Sequence, residues 1–100
     1  QLGDMKSAVS DYSLCLRLIP GHYKSIKGRA YAYQQLKEYQ KALADYNKAI
    51  GLYQKDASVF YNRGLINNEL RQKTRACNDW QNAYQLGMKE AWVLIQKNCN

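Results

Sequence analysis

Identical residues return every 34 positions along this chain, and that period constrains its fold more tightly than any other feature. Leu2, Leu36 and Leu70 form one column, Ala8, Ala42 and Ala76 a second, Asp11, Asp45 and Asp79 a third, and Leu18, Leu52 and Leu86 a fourth. Similar residues fill others: Tyr12, Tyr46 and Trp80; Cys15, Ala49 and Ala83; Val9, Leu43 and Cys77. A unit this short cannot enclose a core by itself. Successive units must stack and bury their apolar faces against one another.

Within a unit the pattern is helical. Ala42, Tyr46, Ala49 and Ile50 sit at i, i+4, i+7 and i+8, one face of a helix. Upstream, Ile26, Ala30 and Tyr33 repeat that periodicity, as do Phe60, Gly64 and Asn67 with a polar last position. The small residues stand where helices approach closely, and the aromatic one turn on fills the space between them. Each unit therefore reads as two amphipathic helices. One proline and six glycines leave few breakers, so the fold class is all-α. Helices are expected at about 4–18, 22–36, 38–52, 57–70 and 73–86, with a last one in 89–100 carrying Ala91, Trp92, Leu94 and Ile95 at helical spacing. Asp4 suits an N-cap, Pro20 ends the first helix and Gly87 suits a stop. The spacing of Lys41 with Asp45, and of Arg75 with Asp79, predicts surface pairs at i, i+4.

These columns resemble the tetratricopeptide-repeat (TPR) family, whose signature runs large apolar, small, aromatic, then A-x-x-x-F/Y and a closing proline. With Tyr23 as the first position of a unit, Ile26, Ala30, Tyr33, Ala42, Tyr46 and Ala49 fill those places. The next unit starts at Ala57, with Phe60, Gly64, Ala76, Trp80 and Ala83. Ala8, Tyr12, Cys15 and Pro20 match the second half of an earlier unit. Arg29 and Arg63 stand where leucine is usual, Gln54 and Met88 where proline is usual, and Asn67 where an aromatic is. The arginines, and the order Ala-Cys-x-Asp-Trp through a final Cys, resemble bacterial repeats in particular. The resemblance implies a superhelix of antiparallel helix pairs, an α-α solenoid closed by a C-terminal capping helix. It would be one domain over 1–100: 1–20 the second helix of a truncated repeat, 21–54 and 55–88 full repeats, and 89–100 the cap.

The family's partners lie on the concave face lined by the first helices. The matching positions here are Lys24, Lys27, Gly28, Tyr31, Gln34 and Gln35, then Ser58, Tyr61, Asn62, Leu65, Asn68 and Glu69, with Trp92 and Ile95 continuing the row on the cap. The function implied is a non-catalytic scaffold binding a peptide or helix of another protein. Read from the residues alone, the same set is a solvated polar face. A stricter version, the clamp that grips a peptide's terminal carboxylate, is matched in two of five places, Lys27 and Asn62. Tyr31, Trp92 and Gln96 depart from it.

The net charge of +7 raises the alternative of nucleic acid or another polyanion as partner. Its distribution tempers that reading: residues 1–50 hold eight basic and four acidic side chains, and 51–100 hold seven and four. No nucleophile–base arrangement, glycine-rich phosphate loop or paired-carboxylate site appears, so the sequence reads as no enzyme and calls for no cofactor. Cys15, Cys77 and Cys99 lack metal-ligand spacing and His22, alone of its type, follows Gly21 in a turn, so no metal is expected. Cys77 and Cys99 lie eleven residues either side of Met88, and an antiparallel hairpin would bring them opposite one another. They are a disulfide or two small buried residues; Cys15, in an alanine column, is packing. No apolar run approaches the ~20 residues of a membrane span. Starting at Gln1 without a Met or a targeting segment, the sequence reads as part of a longer protein, with its cellular address open. The apolar edge at 4–18 is a candidate for self-association.

Overall fold

In the computed structural model, which describes residues 1–99, helices are the only regular elements among the described residues. They are α1 (Leu2–Leu18), α2 (Tyr23–Gln35), α3 (Tyr39–Leu52), α4 (Ala57–Glu69), α5 (Lys73–Gln85) and α6 (Glu90–Asn98). They group into two compact units, Gln1–Gln54 and Lys55–Asn100.

In the first unit α2 packs against both α1 and α3. Ile26, Ala30, Ala42 and Tyr46 lose all exposure. Alanine at positions 30 and 42 lets the α2 and α3 backbones approach, and the isoleucine and tyrosine each gain about 1.5–3 kcal/mol from burial. The buried Tyr46 hydroxyl donates to Gln34 Oε1 at 2.8 Å, so its polar tip is satisfied.

In the second unit α5 packs against α4 and α6. Ile66, Ala76, Trp80, Ala83 and Ala91 are fully buried. Trp80 is larger than its column equivalent Tyr46, and the column facing it has shrunk to match. Where the first unit has Ala30, the second has Gly64, and a Cβ there would stand 2.5 Å from Trp80 Nε1 and 2.7 Å from Cδ1. That indole Nε1 is buried without a hydrogen-bond partner.

Three helices end in the same way. After α2, the Glu38 N–H donates to the Tyr33 carbonyl at 2.9 Å and Lys37 N–H to Gln34 at 3.0 Å. After α4, Gln72 donates to Asn67 at 2.8 Å and Arg71 to Asn68 at 3.0 Å; after α5, Met88 donates to Ala83 and Gly87 to Tyr84, both at 3.0 Å. This Schellman pairing satisfies the last carbonyls and needs a left-handed residue at the turn. Gly87 takes it with φ 106°, whereas Lys37 and Arg71 take it at 61° with side chains attached.

The starts differ from expectation. The first helix begins at Leu2, so Asp4 lies inside its first turn instead of capping it. There its carboxylate still complements the positive end of the helix dipole. His22, expected only as a turn residue, caps α2: its Nδ1 accepts from the Ser25 N–H at 3.3 Å. Asp56 caps α4 by accepting from the Ser58 N–H at 3.1 Å.

The short α6 buries only Ala91 and Ile95. Cys77 of α5 is joined by a disulfide to Cys99, just past α6, with Cα atoms 5.8 Å apart across 22 residues of sequence. Cys15 is half-buried, and its sulfur accepts from Ser25 Oγ at 3.0 Å.

Candidate partner-binding surface

What α2 and α4 can offer a partner depends on which of their side chains the fold already uses. Arg29 of α2 reaches across to Asp45 of α3 through two bonds, Nε to Oδ2 at 2.7 Å and Nη2 to Oδ1 at 2.9 Å. Arg63 of α4 does the same to Asp79 of α5, with contacts of 2.7–3.2 Å. Both aspartates are buried, at 5% and 2% exposure, and a planar guanidinium fork suits such a paired carboxylate. The i, i+4 pairs read from the sequence are therefore corrected. Asp45 and Asp79 face across the helix pair and not along their own helix, while Lys41 pairs with Glu38 at 3.1 Å.

The Asp45 hydrogen bond raises the Arg29 pKa above the ordinary guanidinium value, against the smaller opposing effect of burial. Lys41, at the exposed surface, is also raised, by its hydrogen bond to Glu38. Rings complete the setting. The Arg29 guanidinium lies 5.8 Å from the Tyr33 ring centre and the Arg63 guanidinium 5.6 Å from that of Phe60. Asn67, the polar intruder in the aromatic column, donates to Asp79 Oδ2 at 3.0 Å and so joins the ion pair. Sequence reasoning missed this arrangement. The signal was present: two arginines 34 residues apart, each 16 residues ahead of an aspartate.

Beside the paired arginine, α2 carries Lys24, Lys27, Tyr31, Gln34 and Gln35 at i, i+3, i+7, i+10 and i+11, which is one helix face. Lys24, Tyr31 and Gln35 are exposed, with Tyr31 at 47%, while Lys27 and Gln34 are half-buried. Gln34 is partly committed, since its carbonyl holds the Tyr46 hydroxyl. Gly28 abuts the Tyr12 ring of α1, so a side chain there would meet protein and not solvent.

On α4 the corresponding face holds Ser58, Tyr61, Asn62 and Leu65, all half-buried, and the exposed Asn68 and Glu69. Ser58 Oγ is engaged by the capping Asp56 at 2.7 Å. Trp92 of α6 is 47% exposed and lies against Tyr84 of α5, with ring centres 5.3 Å apart. Ile95, read as extending the row, is buried in the core. The α2 face thus belongs to one compact unit, and the α4 face and Trp92 to the other. Among the described residues no group of three or more His, Cys, Asp or Glu could hold a metal ion. No helix among them is long and apolar enough to cross a membrane.

Residues 28–56 match the tetratricopeptide-repeat family model. No curated protein sequence matches the chain. Solved structures do. The first TPR domain of Spaghetti (RPAP3), solved bound to an HSP90 peptide, SRMEEVD, is 25% identical with a TM-score of 0.88, over 95% of this chain and 77% of that one. The Arabidopsis OM64 TPR domain is 25% identical with a TM-score of 0.91, over 97% of this chain and 82% of that one. Six helices without strands among the described residues match these helical solenoids in fold class. Residues 28–56 thus match a tetratricopeptide repeat in sequence, and the helices of the chain are similar in fold to those of tetratricopeptide-repeat domains.

Proposed function

We propose that this chain is a protein-interaction scaffold whose two units each offer a face to an acidic peptide, the first unit the outward face of α2 and the second that of α4. The observation that carries this reading is the α2 row. Lys24 and Tyr31 project from a helix whose opposite side is fixed by the core and by the Arg29–Asp45 pair, so they are held in place without being needed for packing. An aromatic anchor beside cations and amides is a composition suited to peptide recognition, and a preformed helix face loses little entropy on binding. Supporting the acidic character of the ligand, the Spaghetti domain was solved with a peptide containing two glutamates and an aspartate, and the present chain carries a charge of +7. Full capture of a terminal carboxylate is not part of the proposal, because Tyr31 stands in place of a clamp residue.

In the second unit, Tyr61, Asn62, Leu65, Asn68 and Glu69 would supply the contacts of the separate α4 face. Gln34 and Gln35 would lie at the margin of the α2 face, and Ser58 and Trp92 at the margin of the second unit's face. The polyanion alternative finds no comparable support, since Arg29 and Arg63 are neutralised internally and the remaining cations are divided between the units. Titrating labelled SRMEEVD into the chain and into a Lys27→Ala, Tyr31→Ala, Tyr61→Ala variant tests the reading. Saturable binding that weakens at least ~10-fold in the variant supports it. Equal binding by both proteins would remove these faces from the account.

A further inference from the structure

The disulfide between Cys77 and Cys99 is not sealed in the core. Both cysteines are half-buried, and together they form part of the wall of a cleft of about 360 Å³ in the second unit. Volumes of that order hold small molecules. The rest of the wall is polar: Lys73, Thr74, Asn78 and Gln81 of α5, and Asn98 at the end of α6. Lys73, Thr74, Cys77, Asn78 and Gln81 are spaced i, i+1, i+4, i+5 and i+8, one face of α5, and the four polar ones are exposed. Lys73 takes no ion pair among the described residues, and no carboxylate side chain among them lines the cleft. An ammonium, amides and a hydroxyl thus surround a sulfur–sulfur bond. The first three suit an anionic, hydrogen-bonding molecule; the last is an electrophile for a thiolate.

We propose that this cleft is a thiol–disulfide exchange site for a small anionic thiol, which Lys73 and the amides hold and which becomes joined to Cys99. The incoming thiol gives its proton to solvent, and its thiolate attacks Cys99 Sγ. A bond forms between those two sulfurs, the Cys77–Cys99 bond breaks, and its electron pair leaves on Cys77 Sγ. One disulfide replaces another, so no further oxidant or reductant is consumed. The direction follows from where the sulfurs sit, because exchange is faster when the departing thiolate is the more stable one. Cys77 lies in the second turn of α5, one turn beyond Lys73 on the same face, where the ammonium and the positive helix end favour a thiolate. Cys99 follows the last turn of α6, at the negative helix end, where a thiolate is disfavoured. The adduct leaves α6 without its covalent tie to α5.

The test treats the whole chain with glutathione, a carboxylate-bearing thiol, and with cysteamine, a cationic one, at physiological ionic strength. Opening of the disulfide is followed by mass spectrometry of acid-quenched samples, and rates are compared per thiolate. Glutathione is expected to react ~10-fold faster, since the Lys73 ammonium attracts the anion and repels the cation. Lys73→Gln should reduce that ratio ~5-fold, the worth of one such contact in water. Arg75→Gln removes an equal charge from α5 outside the cleft and should leave the ratio within about twofold, because distant charges are screened. Peptide mapping should find the mixed disulfide on Cys99. A ratio unmoved by Lys73→Gln overturns the proposal, as does one moved equally by Arg75→Gln, which would make the net charge of the chain the cause. An adduct on Cys77 in place of Cys99 also overturns it.

Discussion

Gly64 and Trp80 show how far one carbon matters in these units. Adding a Cβ at 64 brings it against the indole and within 3.2 Å of the Ala76 carbonyl, and overpacking of this kind costs about 1–3 kcal/mol. Gly64→Ala is therefore expected to lower stability by ~1 kcal/mol or more, despite the better helix propensity of alanine. In a Trp80→Tyr background the same change should be neutral or stabilising, because the pair then copies Ala30 and Tyr46. Urea denaturation of the four proteins in the cycle measures that coupling. The aspartate column makes a second prediction. Asp45→Asn and Asp79→Asn each leave a partly buried arginine short of its counter-charge and should cost about 2–3 kcal/mol, somewhat less than a fully buried pair. Asp11→Asn, at an exposed site, should stay within ~0.5 kcal/mol of the parent. The sign of the pH effect is fixed by Arg29: its folded pKa is raised, so the stabilisation it gains is fully present below the unfolded value. It is lost only as pH climbs through the higher folded one.

For the helices, the turns and the staple decide what is robust. Lys37 and Arg71 hold left-handed backbone that glycine enters freely, and a non-glycine residue there costs about 1 kcal/mol. Lys37→Gly and Arg71→Gly should each raise the melting temperature, the gain being trimmed by the extra freedom glycine gives the unfolded chain. Thermal melts with each single variant check this. The capping helix is the opposite case. Nine residues are too few for a stable isolated helix, and α6 buries only Ala91 and Ile95 of its own. A cross-link closing 22 residues contributes about 3 kcal/mol by the chain-entropy account. A cleft of about 360 Å³ lined by Lys73, Thr74, Asn78, Gln81 and Asn98 opens on the disulfide, giving reductant access to it. Treatment with a dithiol, or Cys77→Ser with Cys99→Ser, should speed amide exchange in 90–98 while exchange in α4 changes little. Uniform acceleration across α4, α5 and α6 would instead mean that the second unit opens as one body.

For the molecule as a whole, charge is the property that acts at a distance. A chain of +7 should bind an acidic peptide with an affinity that falls as salt rises, since Debye screening reaches about 8 Å at physiological ionic strength. The proposed binding of SRMEEVD should therefore weaken severalfold between 50 mM and 300 mM salt, with most of the change in the association rate. The 34-residue period and the 3.6-residue stripes were enough to state the all-α class, the number and type of helices, and core positions such as Ile26, Ala30, Ala42, Tyr46 and Trp80, because burial imprints a repeating pattern on the residues that undergo it. The facing of each polar side chain was not legible. Asp45 sits four residues after Lys41 and sixteen after Arg29, and spacing along one helix made the nearer cation the obvious partner. Only the crossing of α2 over α3 turns the carboxylate to Arg29. In the same way, Lys37 and Arg71 carry no mark of a left-handed turn, and Gln34 none of the Tyr46 hydroxyl. Period and polarity are one-dimensional and survive in the sequence. Direction across a helix pair exists only once two helices have packed.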